Sequence, residues 1–115
     1  MNMLNRSAVV ITPKPPYLKW AKRDDTTGVA ERVYETLRRE PHVYLVREPD
    51  DGESEQAVLD EYWPALFEAM LAGWLTDEQQ WPSRRTRTMF DNWFEVQLCP
   101  VVEDLHLQGA LIEIV

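Results

Sequence analysis

The residues able to do chemistry are few and widely spaced. Cys99 is the single cysteine of the 115-residue chain, and its two histidines, His42 and His106, lie far apart. A nucleophilic dyad would need Cys99 beside His106, with Glu103 or Asp104 orienting the imidazole, and a hairpin is able to bring the two together. Cys99 precedes a proline on a strand-like stretch, however, and has no basic neighbour to favour its thiolate. Those are features of a thiol that packs rather than attacks. Ser83 lacks the G-x-S-x-G setting of an activated serine. No two of the cysteine and histidines show the C-x-x-C or H-E-x-x-H spacing of a zinc site. Placing Gly52 at the glycine of a calcium loop puts Arg47 at the first ligand position and Val58 at the twelfth, both wrong for an oxygen-coordinated cation. No catalytic residue, metal ligand or cofactor is therefore expected.

Two charged groupings remain. Glu48, Asp50, Asp51, Glu53 and Glu55 form an acidic run with Arg47 as the only adjacent cation. A local negative field of this kind steers a basic protein surface into encounter, and an aromatic anchor such as Trp20 or Trp81 would then carry binding energy. The alternative is a solvated loop whose charge complements the N-terminus of the following helix. Arg84, Arg85 and Arg87 lie beside Trp81 and just before a helix, an arrangement suited to an anion such as phosphate or a partner carboxylate. The alternative for them is neutralisation by nearby Asp77, Glu78 and Asp91. Trp63, Trp74 and Trp93 fall on helical stripes and read as core.

Charge narrows the partners. Twenty acidic residues against twelve basic ones give a net charge of −8 and a pI near 4.7, which repels nucleic acid on average. The opening residues hold only a short apolar run before Pro13, too little for a signal sequence or membrane span, so a cytoplasmic protein without nucleic-acid or membrane partners is expected. The lone cysteine fits a reducing compartment.

The elements that must position these groups follow from periodicity. Ser7 to Thr12 is a β-branched run read as a central strand buried on both faces. Tyr17 to Ala21 forms a short helix behind Pro15 and Pro16. A second helix spans about Val29 to Arg39, with Val29, Val33 and Leu37 as its apolar stripe, widened by Ala30 and Tyr34, and cap candidates between Asp24 and Thr27. His42 to Arg47 is a second strand, again apolar on both faces. From Leu59 to Trp74 one helical register runs unbroken through Pro64, where a kink is expected. Gly73, in the apolar arc, would let another element approach or would mark a fraying end. Met89 to Phe94 form a further helix capped by Thr86 or Thr88. Val96 and Leu98 then alternate with Glu95 and Gln97 in a strand that Pro100 places at a sheet edge. Gly109 and the closing Ala-Leu-Ile-Glu-Ile-Val suggest one more strand. The fold class is α+β: a two-layer single domain over residues 1–115, with a three- or four-stranded sheet and three to four helices packed on one face. The core is expected to comprise Val9, Ile11, Val33, Leu37, Val43, Leu45, Leu66, Phe67, Met70, Phe90, Trp93 and Val96.

Two blocks, NRSAVVITPKPPYLKWA and GWLTDEQQWPSRRTRTMFDNWFEV, resemble those of a family of small bacterial proteins of uncharacterised function, some labelled VacJ-like. The spacing from Trp74 through Trp81-Pro82 to Trp93-Phe94 is the most specific part of the likeness, which implies no established activity. On the residues themselves, the reading is a non-catalytic acidic module that docks onto a protein with a basic surface. The order of elements is also like that of barstar-type inhibitors, acidic domains that neutralise basic ribonucleases. A small-anion-binding or enzymatic domain around Trp81, Arg84, Arg85 and Arg87 is the reading from another class. Elemental analysis of the purified protein should find far less than one zinc or calcium per chain; a stoichiometric metal would overturn the ligand-spacing argument.

Overall fold

Proline and glycine set the boundaries of the first elements. In a computed structural model that describes residues 2–106, 108 and 109, strand β1 covers Asn2–Met3 and strand β2 covers Ser7–Pro13. Pro15 and Pro16 open helix α1, Pro15–Ala21, where a missing N–H costs nothing. Helix α2, Val29–Arg39, starts at Gly28, whose φ of 80° lies in the left-handed region that glycine enters without strain. Pro41 stops it ahead of strand β3, His42–Val46. Helix α3 runs Glu55–Ala72, a 3-10 turn follows at Glu78–Gln80, and helix α4, Arg87–Trp93, passes directly into strand β4, Phe94–Cys99. A two-residue strand β5, Glu103–Asp104, pairs antiparallel with β1.

The main sheet is antiparallel, in the order β3-β2-β4. β2 is central and β4 an edge, as the run of β-branched residues and Pro100 imply. Register divides the faces: Val9 pairs with Tyr44 and Leu98, and Ile11 with His42 and Val96. Val9 and Ile11 are fully buried beneath the helices. The opposite face carries Val10, Val43, Leu45, Glu95 and Gln97. Here the expectation of strands buried on both faces is corrected. Val43 is 56% and Leu45 51% exposed, because a three-stranded sheet with its helices on one side leaves the second face, and the edge strand β3 most of all, to solvent.

Helix α3 supplies most of the core with Val58, Leu59, Leu66, Phe67, Met70 and Leu71. It begins four residues before the apolar register does, since the Ser54 side chain accepts a hydrogen bond from the Ala57 N–H at 3.1 Å and caps it. Pro64 lies inside the helix on its exposed side, where the carbonyl it leaves without a partner can turn to water. The buried side of α2 is centred on Ala30 and Tyr34, while Val33 and Leu37 are half-buried and Val29 is exposed. The buried stripe is thus centred on the two residues expected to widen it rather than on Val29, Val33 and Leu37. Trp93 and Val96 are likewise half-buried against the core.

Tyr17 ties the layers together. Its hydroxyl donates to the Met70 carbonyl at 2.8 Å, one of the last-turn carbonyls of α3 that have no intrahelical donor. Burial, and to a lesser extent Tyr44, pushes its phenol pKa up, so the donor stays protonated. Gly73 ends that helix with αR geometry, and the nearest atom to a Cβ built there is the Met70 carbonyl oxygen at 3.3 Å. The tightness therefore comes from its own helix rather than from another element. The strand suggested by the terminal Ala-Leu-Ile-Glu-Ile-Val lies outside the described residues.

Phe67 is fully buried between α4 and β4, so Phe67→Ala should lower the unfolding free energy by about 3 to 5 kcal/mol. Val43→Ala on the open face should change it by about 0.5 kcal/mol or less. Denaturant titration of both variants checks the assignment of faces, and equal losses would refute it.

Candidate functional site

The acidic segment lies between β3 and the start of α3, and its shape is set by Arg47. The guanidinium donates to both carboxylate oxygens of Glu53, at 2.7 and 2.8 Å, and to Glu61 at 3.1 Å. Asp50 stands 3.9 Å away. Glu53 also accepts the Asp50 N–H at 2.9 Å, so one carboxylate closes the turn and pins it to the end of β3. Paired planar forks hold geometry better than single contacts. Arg47 further presents its own N–H to the Tyr62 hydroxyl at 3.2 Å, which joins the strand end to α3.

Of the five acidic residues singled out, Glu53 is therefore turned inward, while Glu48, Asp50, Asp51 and Glu55 are exposed. The Arg47 fork and the Asp50 N–H hold the Glu53 carboxyl down at about 2. The same pairs raise the Arg47 pKa. Nothing in the spacing of the acidic residues separated Glu53 from the other four. The signal available was Arg47 itself, placed at the strand end with acidic residues ahead of it.

Asp25 works in a similar way at the other end of the molecule. Its carboxylate accepts the Thr27 hydroxyl at 2.6 Å, the Thr27 N–H at 2.9 Å and the Ala30 N–H at 2.9 Å, capping α2 from outside the helix. These bonds, that of the hydroxyl foremost, hold its pKa at about 2.

The two tryptophans offered as anchors are drawn into the fold. Trp20 is 7% exposed, and its indole N–H donates to the Gln80 carbonyl at 3.1 Å. Trp81 is half-buried, donates to the Leu75 carbonyl at 2.7 Å and lies under the Arg85 guanidinium at 5.7 Å. Trp20, Trp74, Leu75 and Gln80 line an open cleft of about 420 Å³ with Arg23, Asp24 and Asp25 on its rim. Trp74 lies just past the C-terminus of α3 and the acidic loop at its N-terminus, so the helix's 18 residues set the cleft and the loop roughly 27 Å apart. Sequence reasoning joined these features in one surface; the structure places them at opposite ends of a helix.

Two of the three arginines also have partners. Arg87 reaches Asp60, Gln56 at 2.9 Å and Asp91 at 3.0 Å, linking α4 to α3. Arg85 pairs with Glu68 at 3.2 Å and donates to the Pro82 carbonyl at 2.9 Å. Arg84 is exposed. Their side chains bind the loop before α4 to the outer side of α3, where Trp81 alone gave no hint of acidic partners from a distant helix. Cys99 is half-buried at the end of β4, paired in register with Ala8. His106 lies beyond β5, its backbone N–H on Asp104. No group of three or more potential metal ligands occurs among the described residues. No helix among them is long and apolar enough to cross a membrane.

A carboxyl whose folded pKa lies below its unfolded value of about 4 stabilises the fold above that value and loses the contribution as pH falls through the folded one. Glu53 and Asp25 should therefore weaken the protein between about pH 5 and pH 2. Glu53→Gln is expected to lower the urea midpoint at pH 7 and to converge on the wild type near pH 2. A gap independent of pH would mean that the Glu53 charge does not hold the loop.

Comparison with known protein families, characterised proteins and solved structures finds no match to this chain, so a functional reading rests on the acidic loop, the cleft and the arginine contacts alone.

Proposed function

We propose that this chain is a non-catalytic protein-binding domain that recognises a basic surface on its partner through the loop between β3 and α3. The observation that carries the reading is the Arg47–Glu53 fork. It consumes the local cation and one carboxylate, and holds the backbone so that Glu48, Asp50, Asp51 and Glu55 face solvent from a fixed turn. A field set in advance steers encounter without an ordering cost at binding. The net charge of −8 extends the same sign over the molecule. Inhibition of a basic enzyme is the sharpest form this function would take, since blocking a cationic active site needs only a complementary anionic surface.

The partner is to be captured from a lysate of the source cells and identified by mass spectrometry. Its association rate should then fall by about tenfold or more between roughly 20 and 150 mM salt, as screening shortens the reach of surface charge. The combined variant Glu48→Gln, Asp50→Asn, Asp51→Asn and Glu55→Gln, which leaves the Arg47–Glu53 fork in place, should reproduce that slowing at low salt. If neither salt nor charge removal changes the rate, the segment is only a solvated loop.

A further inference from the structure

We propose that the open cleft beyond the C-terminus of α3 is a docking site for one arginine side chain of a protein partner, with Trp74 as the surface on which the guanidinium stacks. Of the five tryptophans, four have a ring or a guanidinium against them within the fold. Trp20 lies 5.6 Å from Tyr17 and 6.0 Å from Trp93, Trp63 lies 6.3 Å from Phe90, and Trp81 lies 5.7 Å from the Arg85 guanidinium. Trp74 has no such neighbour among the described residues. Its indole N–H, unlike those of Trp20 and Trp81, also meets no acceptor among them. It packs against the core, is half-buried and lines the cleft.

The rim decides the sign of the charge that fits. Lys22 is matched by Glu31 at 3.1 Å, and Arg23 by Asp24 at 3.4 Å and by the Gln80 side-chain oxygen at 3.3 Å. Asp25 has no ion-pair partner among the described residues and stays charged far below neutral pH. The turn that carries Gln80 adds the exposed Asp77 and Glu78, and no lysine or arginine occurs from Gly73 to Ser83. An indole under a net negative rim attracts an organic cation.

Guanidinium suits this surface better than ammonium, because it is flat and weakly hydrated, so it can stack on the ring while its edge donates in plane to carboxylates. The fold makes the same pairing within itself where Arg85 covers Trp81. At about 420 Å³ and open to solvent, the cleft receives a side chain reaching in from a surface rather than enclosing a whole molecule. It stands at the other end of α3 from the acidic loop, so the inference does not rest on that loop's role; a basic partner long enough to span both would be held at two points.

Titration of the full chain with Nα-acetyl-arginine amide, followed by the indole N–H resonances in proton–nitrogen correlation spectra, tests the cleft. The Trp74 resonance should shift and saturate with a dissociation constant of about 1 mM, the level that ligand efficiency sets for so small a molecule, while those of Trp63 and Trp81 stay in place. The citrulline analogue, alike in shape but neutral, should give no saturable shift, and the lysine analogue should bind about threefold or more weakly. Trp74→Leu should abolish binding with an unchanged circular dichroism spectrum. Asp77→Asn with Glu78→Gln, which leaves Trp74 in place, should weaken binding about threefold at low salt, so the rim is tested even if the leucine variant does not fold. An arginine flanked by glycines in a capped pentapeptide should bind at least as tightly as the amide, and the variant of the acidic loop lacking Glu48, Asp50, Asp51 and Glu55 charges should bind as the wild type does. A Trp74 shift that does not saturate, an equal response to citrulline, binding that survives Trp74→Leu or is indifferent to the rim charges, or a loss on neutralising the distant loop overturns the proposal. Binding of the amide without the peptide does so too, since the cleft would then admit a free small cation and no chain.

Discussion

The ring of Phe67 lies 5.4 Å from Phe94, 5.5 Å from Trp93 and 5.8 Å from Phe90, and that contact between α3 and the α4–β4 junction is the constraint on which the other elements depend. On the covered face of the sheet, α1, α3 and α4 all reach the same aromatic cluster. Tyr17 enters it from α1, 5.5 Å from Phe94 and 5.6 Å from Trp20. Its hydroxyl then finds the open carbonyl at the end of α3. Tilted and edge-to-face rings of this kind fill volume with defined geometry, so the cluster fixes angles between elements as well as burying area.

Charged groups are arranged around this core in two ways. Arg47, Arg85 and Arg87 each join segments distant in sequence or close a turn, and their carboxylate partners are spent on architecture. Among the described residues, Glu48, Asp51 and Glu55 have no such use, and Asp50 meets Arg47 only at 3.9 Å from an exposed position. The division matters more than the total of acidic residues, because a carboxylate already engaged by an arginine contributes little to the field a partner meets.

Much of this was legible in the residues. Element order, the central place of β2, the edge position of β4 and the α3 register all follow from periods and proline positions. Val9, Ile11, Leu66, Phe67, Met70 and Phe90 are buried as expected. Val43 and Leu45 were not readable as exposed, since an apolar run looks the same whether one or both faces are covered, and only the number of layers decides. Tyr17 and Trp20 joined the core unannounced because a seven-residue helix is too short to show a stripe. Phe94 reads as a helical residue by spacing yet begins a strand, since α4 and β4 abut without a loop. The Glu53 fork and the arginine contacts with α3 depend on tertiary approach, which spacing along the chain does not encode.

The place of β2 bears on how the chain is made. Its neighbour β3 leaves the ribosome soon after it, but its other neighbour pairs Ala8 with Cys99 and Pro13 with Phe94, so the central strand waits for everything from α1 to α4 before its second ladder can close. Such high contact order slows folding. Until then Ala8 to Ile11 present an apolar strand edge to other nascent chains. The pressure to avoid aggregation therefore falls on β2, and holdase chaperones that bind short β-branched segments would meet this protein there.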